Sequence, residues 1–288
     1  MKILVTGGAG FIGRNLVSRL LSDGHEVTIY DNFSSSKKEP VGAAKIIEGD
    51  IRDADDVARA MKGSNTVFHL AAIKEIRNVD EDLIYNTNFI GSKVVFEAAK
   101  EQGAKVVFAS SAAVYGEAKL CREADECRPT NQYGKSKLKA EKLCGGFVAR
   151  LFNVYGPNGH GVVNTFCRLI PKYEPVTVYG HGTQTRDFIY IDDVVNALVT
   201  GLQLEGVYNV GTGKETSVLE VADMVHEMTK AKPDIKFTAP FPGEVMRSKA
   251  DISKIQQTEW FPKTELGDGI RKILISEGFD FSVVESLK

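Results

Sequence analysis

Three things are scarce in this chain of 288 residues, and each scarcity excludes something. Cysteine occurs four times, at Cys121, Cys127, Cys144 and Cys167, with no CxxC spacing. So few cannot staple a chain this long, and free thiols in a reducing compartment are expected. No apolar run approaches the roughly eighteen residues of a membrane span. Gly7, Gly8, Gly10 and Gly13 break the amino-terminal apolar stretch that a signal peptide would need. A cytoplasmic location is the expectation. Charge of one sign is also lacking: 36 Lys and Arg stand against 38 Asp and Glu, a net charge of −2. A nucleic-acid binder would carry a basic surplus. What is present is 43% apolar residue, enough for a real core, over a length that suits one large or two small domains.

The first half alternates short apolar runs with helix-like segments. Strands are expected over 2–6, 26–31, 45–48, 66–70, 106–110 and 147–151, with helices over 12–21, 54–61, 83–102 and 132–143. Steady alternation of this kind means right-handed crossovers and a parallel sheet covered on both faces. From about Gly156 the pattern loosens. Gly156-Pro157-Asn158-Gly159 reads as a turn, 166–170 as a short helix closed by Pro171 and Pro175, 187–191 as a strand and 192–201 as a helix. The remainder mixes short strands with two helices and a Pro-rich link over 233–242. The expected fold class is α/β: a doubly wound parallel sheet with a smaller α/β carboxy-terminal lobe.

Between the first strand and the first helix lies Gly7-Gly8-Ala9-Gly10-Phe11-Ile12-Gly13. Glycines at this place let the backbone approach a pyrophosphate, and the helix start behind them offers free N–H groups to the anion. A tight turn would use glycine too. The strand before, the helix after and Asp31 at the end of the next strand favour a dinucleotide. A carboxylate there accepts ribose hydroxyls and repels a 2′-phosphate, so NAD is expected rather than NADP. Arg14, Lys37 and Lys38 point the other way, unless they are solvated surface.

Tyr133 and Lys137 in Tyr133-Gly134-Lys135-Ser136-Lys137 stand one helical turn apart. A tyrosine hydroxyl becomes a base only beside positive charge, which Lys137 and an oxidised nicotinamide would supply. Ser111, in Ser110-Ser111-Ala112-Ala113-Val114-Tyr115-Gly116, follows a buried strand, where ligands of open α/β sheets bind.

Taken together these motifs resemble the extended short-chain dehydrogenase/reductase family, and within it the nucleotide-sugar 4-epimerases that act on UDP-hexoses. The resemblance covers nearly the whole chain. It is carried by 6–13, Asp31-Asn32, 49–53, His69-Leu70-Ala71-Ala72, Asn88 in 86–91, 110–116, 133–137, 150–157, Arg186-Asp187-Phe188 and 208–211. It implies an NAD-binding Rossmann-type domain over 1–155, with 185–201 returning to it, and a nucleotide-sugar lobe over 156–184 and 202–288. It implies that Tyr133, Lys137 and Ser111 are catalytic. Tyr133 would take the proton of the sugar 4-hydroxyl, Lys137 would hold the nicotinamide ribose and keep the phenol acidic, and Ser111 would bond the 4-oxygen. It implies cofactor contacts at Gly7, Gly10, Phe11, Ile12, Gly13, Asp31, Asn32, Asp50, Ile51, Leu70, Ala71, Ala72, Lys74, Asn88 and Ser110, besides Tyr133 and Lys137. Substrate contacts fall, besides Ser111, at Asn153, Asn164, Thr177, Tyr179, Arg186, Arg247 and Ser248. No metal is implied. The plainer readings make His69 a core histidine, Asn88 a helix-to-loop bond, Arg186-Asp187 a structural ion pair and Tyr115 a packing residue. A nucleotide-sugar reductase or dehydrogenase of the same group, or a non-catalytic dinucleotide sensor, are the rival functions.

Four departures from the family pattern carry consequences. The dehydratases of the group have an acidic pair where this chain has Ala112-Ala113, so dehydration is not expected. The Tyr133 helix is short, with Gly145 or Gly146 as its expected cap, which reduces the family's usual helical dimer interface. Phe241 stands where an arginine is usual, and Arg247 is the candidate replacement. Ser248 stands where a bulky tyrosine excludes N-acetylated sugars in some members, so a 2-acetamido group would have room.

Overall fold

The buried faces of the first strands set the architecture. In the computed structural model, which describes residues 1–74, 80–240 and 245–282, the amino-terminal part runs β1 (Lys2–Thr6), α1 (Phe11–Ser22), β2 (Glu26–Asp31), β3 (Lys45–Glu48), α2 (Ala54–Met61), β4 (Thr66–His69), α3 (Glu81–Tyr85), α4 (Ser92–Gln102), β5 (Lys105–Ser111), α5 (Gln132–Glu141) and β6 (Phe147–Leu151). It continues through β7 (Asn153–Tyr155), α6 (Val162–Leu169), β8 (Val176–Tyr179), β9 (Thr185–Arg186), β10 (Phe188–Tyr190), α7 (Ile191–Thr200), β11 (Gly206–Val210), β12 (Thr216–Ser217), α8 (Val218–Thr229), β13 (Ile235–Thr238) and α9 (Leu266–Ser276). Every residue of β4 and β6 and the last four of β1 are buried, as strands covered on both faces must be.

Seven strands form one sheet in the order β11-β6-β5-β4-β1-β2-β3. Pairing is parallel from β6 through to β3. On one face α2 and α4 close a core of Leu4, Val57, Met61, Val67, Val95 and Ala99. Phe96, Phe108, Ala140 and Val148 form a second cluster beneath α4 and α5. The mixed α/β, doubly wound reading holds.

The chain divides into two compact units. The first comprises Met1–Gly116, Glu123–Leu151 and Val195–Asn209, the second Glu117–Arg122, Phe152–Val194 and Val210–Lys288. The segment that rejoins the first unit is thus Val195–Asn209, where 185–201 was expected, and the short stretch Glu117–Arg122 goes with the second. Within the second unit β7 pairs with β10, β9 with β12, and β8 with β13.

Three local expectations fail. The helix expected over 83–102 is broken into α3, a π-helical turn at Asn86–Gly91 and α4. The Pro-rich link contains β13, which pairs in parallel with β8. Finally, α5 ends on Lys142 in the right-handed conformation, so neither Gly145 nor Gly146 caps it. All four cysteines are unbonded thiols, as expected. No helix among the described residues is long and apolar enough to cross a membrane.

Candidate active site

Strand order reverses between β1 and β4, because the chain runs outward through β2 and β3 on one side and through β5 and β6 on the other. Ligands of open α/β sheets bind at the carboxyl ends of strands beside such a reversal. Here the loops leaving β1 and β4 touch. Gly7 has a left-handed φ of +70°, and a Cβ on it would lie 2.6 Å from the Ala71 backbone nitrogen. A Cβ on Gly13 would strike the Gly7 carbonyl oxygen. No side chain caps α1 at Gly10. Its first-turn N–H groups, those of Phe11, Ile12 and Gly13, therefore project from the positive end of the helix.

Asp31 closes β2 with one carboxylate oxygen accepting the Ala9 N–H at 3.0 Å and the other the Phe33 N–H at 2.9 Å. Two of the three cations that argued for NADP are engaged: Lys38 lies 2.7 Å from Glu48, and Arg14 3.8 Å from Glu39. A cradle that any Cβ would fill, an uncapped helix start and an acidic second strand end together fit a dinucleotide without a 2′-phosphate.

Beyond this cradle, α5 starts behind Asn131, whose side chain accepts the Gly134 N–H at 2.8 Å. Gly134 lets the helix come close to the loop after β5, since a Cβ there would lie 2.5 Å from the Ala113 carbonyl oxygen. Ser111, at the end of β5, lies close enough to Tyr133 for its hydroxyl to bear on the phenol. Burial pushes the phenol pKa above its ordinary value, and the Ser111 bond acts the other way. Lys137 is 1% exposed, with Nζ 4.3 Å from the centre of the Phe108 ring. Burial pushes its ammonium down to about 7, opposed by the carboxylate of Glu141.

His69 is a core histidine. Its ring nitrogens meet the hydroxyls of Thr6 at 2.7 Å and Ser92 at 2.8 Å, and it stacks on Phe108. Burial, then the nearby Lys137, pushes its pKa well down, so it stays neutral. Tyr115 is likewise buried, with its hydroxyl 2.6 Å from Asn209 Oδ1.

In the second unit Asp187 is a hub. Its carboxylate accepts from the Thr212 N–H and hydroxyl, both at 2.7 Å, and from the N–H groups of Gly213 at 2.9 Å and Ala250 at 3.1 Å. Its carbonyl accepts the Asn153 N–H. Around it stand exposed Asn153, half-buried Arg186 and buried Ser248. The Arg186 guanidinium donates to the Thr185 carbonyl at 2.9 Å. Arg247 is engaged by Glu215, which also accepts the Thr185 hydroxyl at 3.2 Å. Asn164 is buried, donating to the Gly156 carbonyl at 2.7 Å, while its Oδ1 has no hydrogen-bond partner among the described residues. Thr177 and Tyr179 lie on β8.

Residues 3–211 match the model of the NAD dependent epimerase/dehydratase family. The chain belongs to that family. A Methanocaldococcus jannaschii chain, whose own assignment as a UDP-glucose 4-epimerase is provisional, is 35% identical over 94% of this chain and 97% of its own length. A UDP-N-acetyl-alpha-D-glucosaminuronate decarboxylase of Bacillus cytotoxicus is 32% identical over 95% and 96%. Among solved structures, the Thermus thermophilus UDP-glucose 4-epimerase in complex with NAD superposes with a TM-score of 0.91 at 33% identity, covering 96% of this chain and 99% of that one. The cofactor of the family member described here is NAD.

In this epimerase/dehydratase family member, several residues expected to contact the cofactor also make bonds and contacts within the chain. Ser110 turns its hydroxyl to Glu141. Asn88 is 0% exposed and bonds the Ile73 backbone twice, through Oδ1 and Nδ2, both at 2.8 Å, so it holds the loop after β4. Ile51 is buried in the core against Gly91. Asp50 is gripped by Arg52 at 2.7 and 2.9 Å, and that bond first of all holds its carboxyl down to about 2. Asn32 caps its own turn, accepting the Ser34 N–H at 3.1 Å. Leu70, Ala71 and Ala72 are part-exposed and Lys74 is exposed. Phe241 lies outside the described residues. Two residues with structural leverage, Glu141 and Asp187, were not singled out by sequence, since a helical glutamate reads as surface and Asp187 as the partner of Arg186.

Proposed function

We propose that the protein interconverts the C4 epimers of a UDP-hexose and keeps its NAD through the cycle. One observation carries this reading: at Gly134, next to Tyr133, α5 comes hard against the loop that follows Ser111, with Lys137 buried one turn further on. NAD, when bound, would supply reversible hydride transfer at C4. Tyr133 takes the 4-hydroxyl proton as the hydride leaves and gives it back to the 4-oxygen when the hydride returns. The cycle therefore balances, with no net redox change. Ser111 donates a hydrogen bond to the 4-oxygen, and Lys137 holds the nicotinamide ribose. A buried phenol is a weak base alone, and a nearby positive charge such as that of an oxidised nicotinamide would bring its pKa down.

Ala112-Ala113 carry no acid to expel a 6-hydroxyl, which disfavours dehydration. In the second unit, Asn153, Asn164, Arg186 and Arg247 are the residues for the sugar-nucleotide diphosphate, and Thr177 and Tyr179 for the base. Small Ser248 leaves room for a 2-acetamido group, a reading supported by the N-acetylated substrate in the name of one relative. That same relative supports a second reading, decarboxylation of a UDP-hexuronate.

Purified protein incubated without added cofactor with UDP-glucose, UDP-N-acetylglucosamine, UDP-glucuronate and dTDP-glucose, with products read by NMR, separates these readings. C4 epimers are expected. Carbon dioxide from UDP-glucuronate would establish the decarboxylase, and reduced-nicotinamide absorbance growing with substrate would establish a dehydrogenase. Tyr133→Phe should lower turnover about a thousandfold, whereas a dinucleotide sensor would keep its function. A Ser248→Tyr variant with an unchanged ratio of UDP-glucose to UDP-N-acetylglucosamine turnover would remove the role given to Ser248.

A further inference from the structure

Glu141 is a buried carboxylate that the proposed reaction does not use. It is 8% exposed and lies one turn beyond Lys137, so Tyr133, Lys137 and Glu141 share one face of α5. Two partners hold it. Arg150 of β6, 5% exposed, donates to it from Nη2 at 2.7 Å and from Nε at 3.1 Å, and Ser110 of β5 donates its hydroxyl. Ser110 precedes Ser111. One carboxylate thus ties the helix of Tyr133 and Lys137 to the strand that ends in Ser111.

A buried ion pair is a weak source of stability, because apolar residues of similar volume often serve as well. Its place at this joint points to another use. We propose that Glu141, clamped by Arg150, is a positioning residue: it sets Ser111 against Tyr133 and turns a negative charge toward the Lys137 ammonium. This rests on reading Ser111, Tyr133 and Lys137 as the catalytic set. Lys137 is surrounded by Tyr133 and Glu141 of its own helix, neutral His69 of β4 and the Phe108 ring of β5, with Arg150 of β6 behind Glu141. Of these, Glu141 is the group that opposes the loss of the lysine charge on burial.

Two variants of the NAD-loaded enzyme separate the two roles. Glu141→Gln/Arg150→Met removes both charges and leaves an acceptor for Ser110. Ser110→Ala removes the tie and leaves both charges. The first should move the basic limb of the kcat profile down by about one pH unit, with KM within about twofold. The second should cut kcat about tenfold and leave that limb in place. A third readout needs no sugar: ultraviolet titration of the Tyr133 phenol, against a Tyr133→Phe blank, should give a higher pKa in the doubly substituted protein. Folded variants with wild-type kcat, profile and phenol titration would leave the pair a purely structural one and overturn the proposal. If the double variant fails to fold, Ser110→Ala decides alone, and unchanged kcat there overturns it. Wild-type protein inert toward every sugar would instead refute the epimerase reading, and the phenol titration would still report on Glu141.

Discussion

Lys137 is costly to bury, and the cost depends on pH. In the unfolded chain its pKa lies near 10.4, and in the folded, cofactor-free protein burial brings it to about 7. Between those values the unfolded state binds more protons, so stability rises with pH. Below pH 7 the full penalty applies, and it is relieved as pH climbs toward 10. Lys137→Met is therefore expected to stabilise the cofactor-free protein more at pH 7 than at pH 9, by about 2 kcal/mol. Urea unfolding at the two pH values measures the difference, and equal gains at both would refute the buried, pH-sensitive ammonium. The proposed trio was legible in the sequence as a pattern, because Tyr133 and Lys137 are set apart by helical spacing and Ser111 by its place after a buried strand. What surrounds it was not. The bond from the Ser110 hydroxyl to Glu141 had no sequence signal, because a glutamate in a helix reads as surface.

At the scale of elements, the close approach of α5 to the loop after β5 rests on the absence of one methyl group. Gly134→Ala would drive a Cβ into the Ala113 carbonyl oxygen and must push the helix outward. We expect a loss of about 1–3 kcal/mol and at least a tenfold fall in kcat, read by denaturation and steady-state kinetics on the same preparation. A variant as active as wild type would mean that Ser111 and Tyr133 are not held together by this approach. The strands of the first unit were legible since buried parallel strands are short, apolar and bounded by turns. The π-helical turn was not, because nothing in 83–102 interrupts a helical pattern. It coincides with tertiary demands: Asn88 reaches the Ile73 backbone, and Gly91 receives the side chain of Ile51. Nor was β13 legible, since proline-flanked residues read as a link and only pairing with β8 makes them a strand.

Over the whole molecule, the short Tyr133 helix carries the expectation of a reduced helical dimer surface. In the first unit α5 has ten residues, and Lys139 lies over the rings of Tyr85 at 4.7 Å and Phe89 at 5.6 Å. Sedimentation equilibrium at micromolar concentration is expected to return the mass of a single chain, and a tight dimer through α4 and α5 would contradict it. The second unit has a different sort of constraint. Because Asp187 gathers Asn153, Thr212, Gly213 and Ala250 into one knot, those stretches cannot be retuned separately. Side-chain exchange at the proposed Ser248 position leaves this knot's chain lengths unchanged. Inserting or deleting residues in any of the tethered loops would instead drag the others out of register, so new specificities should be sought by replacement at fixed length.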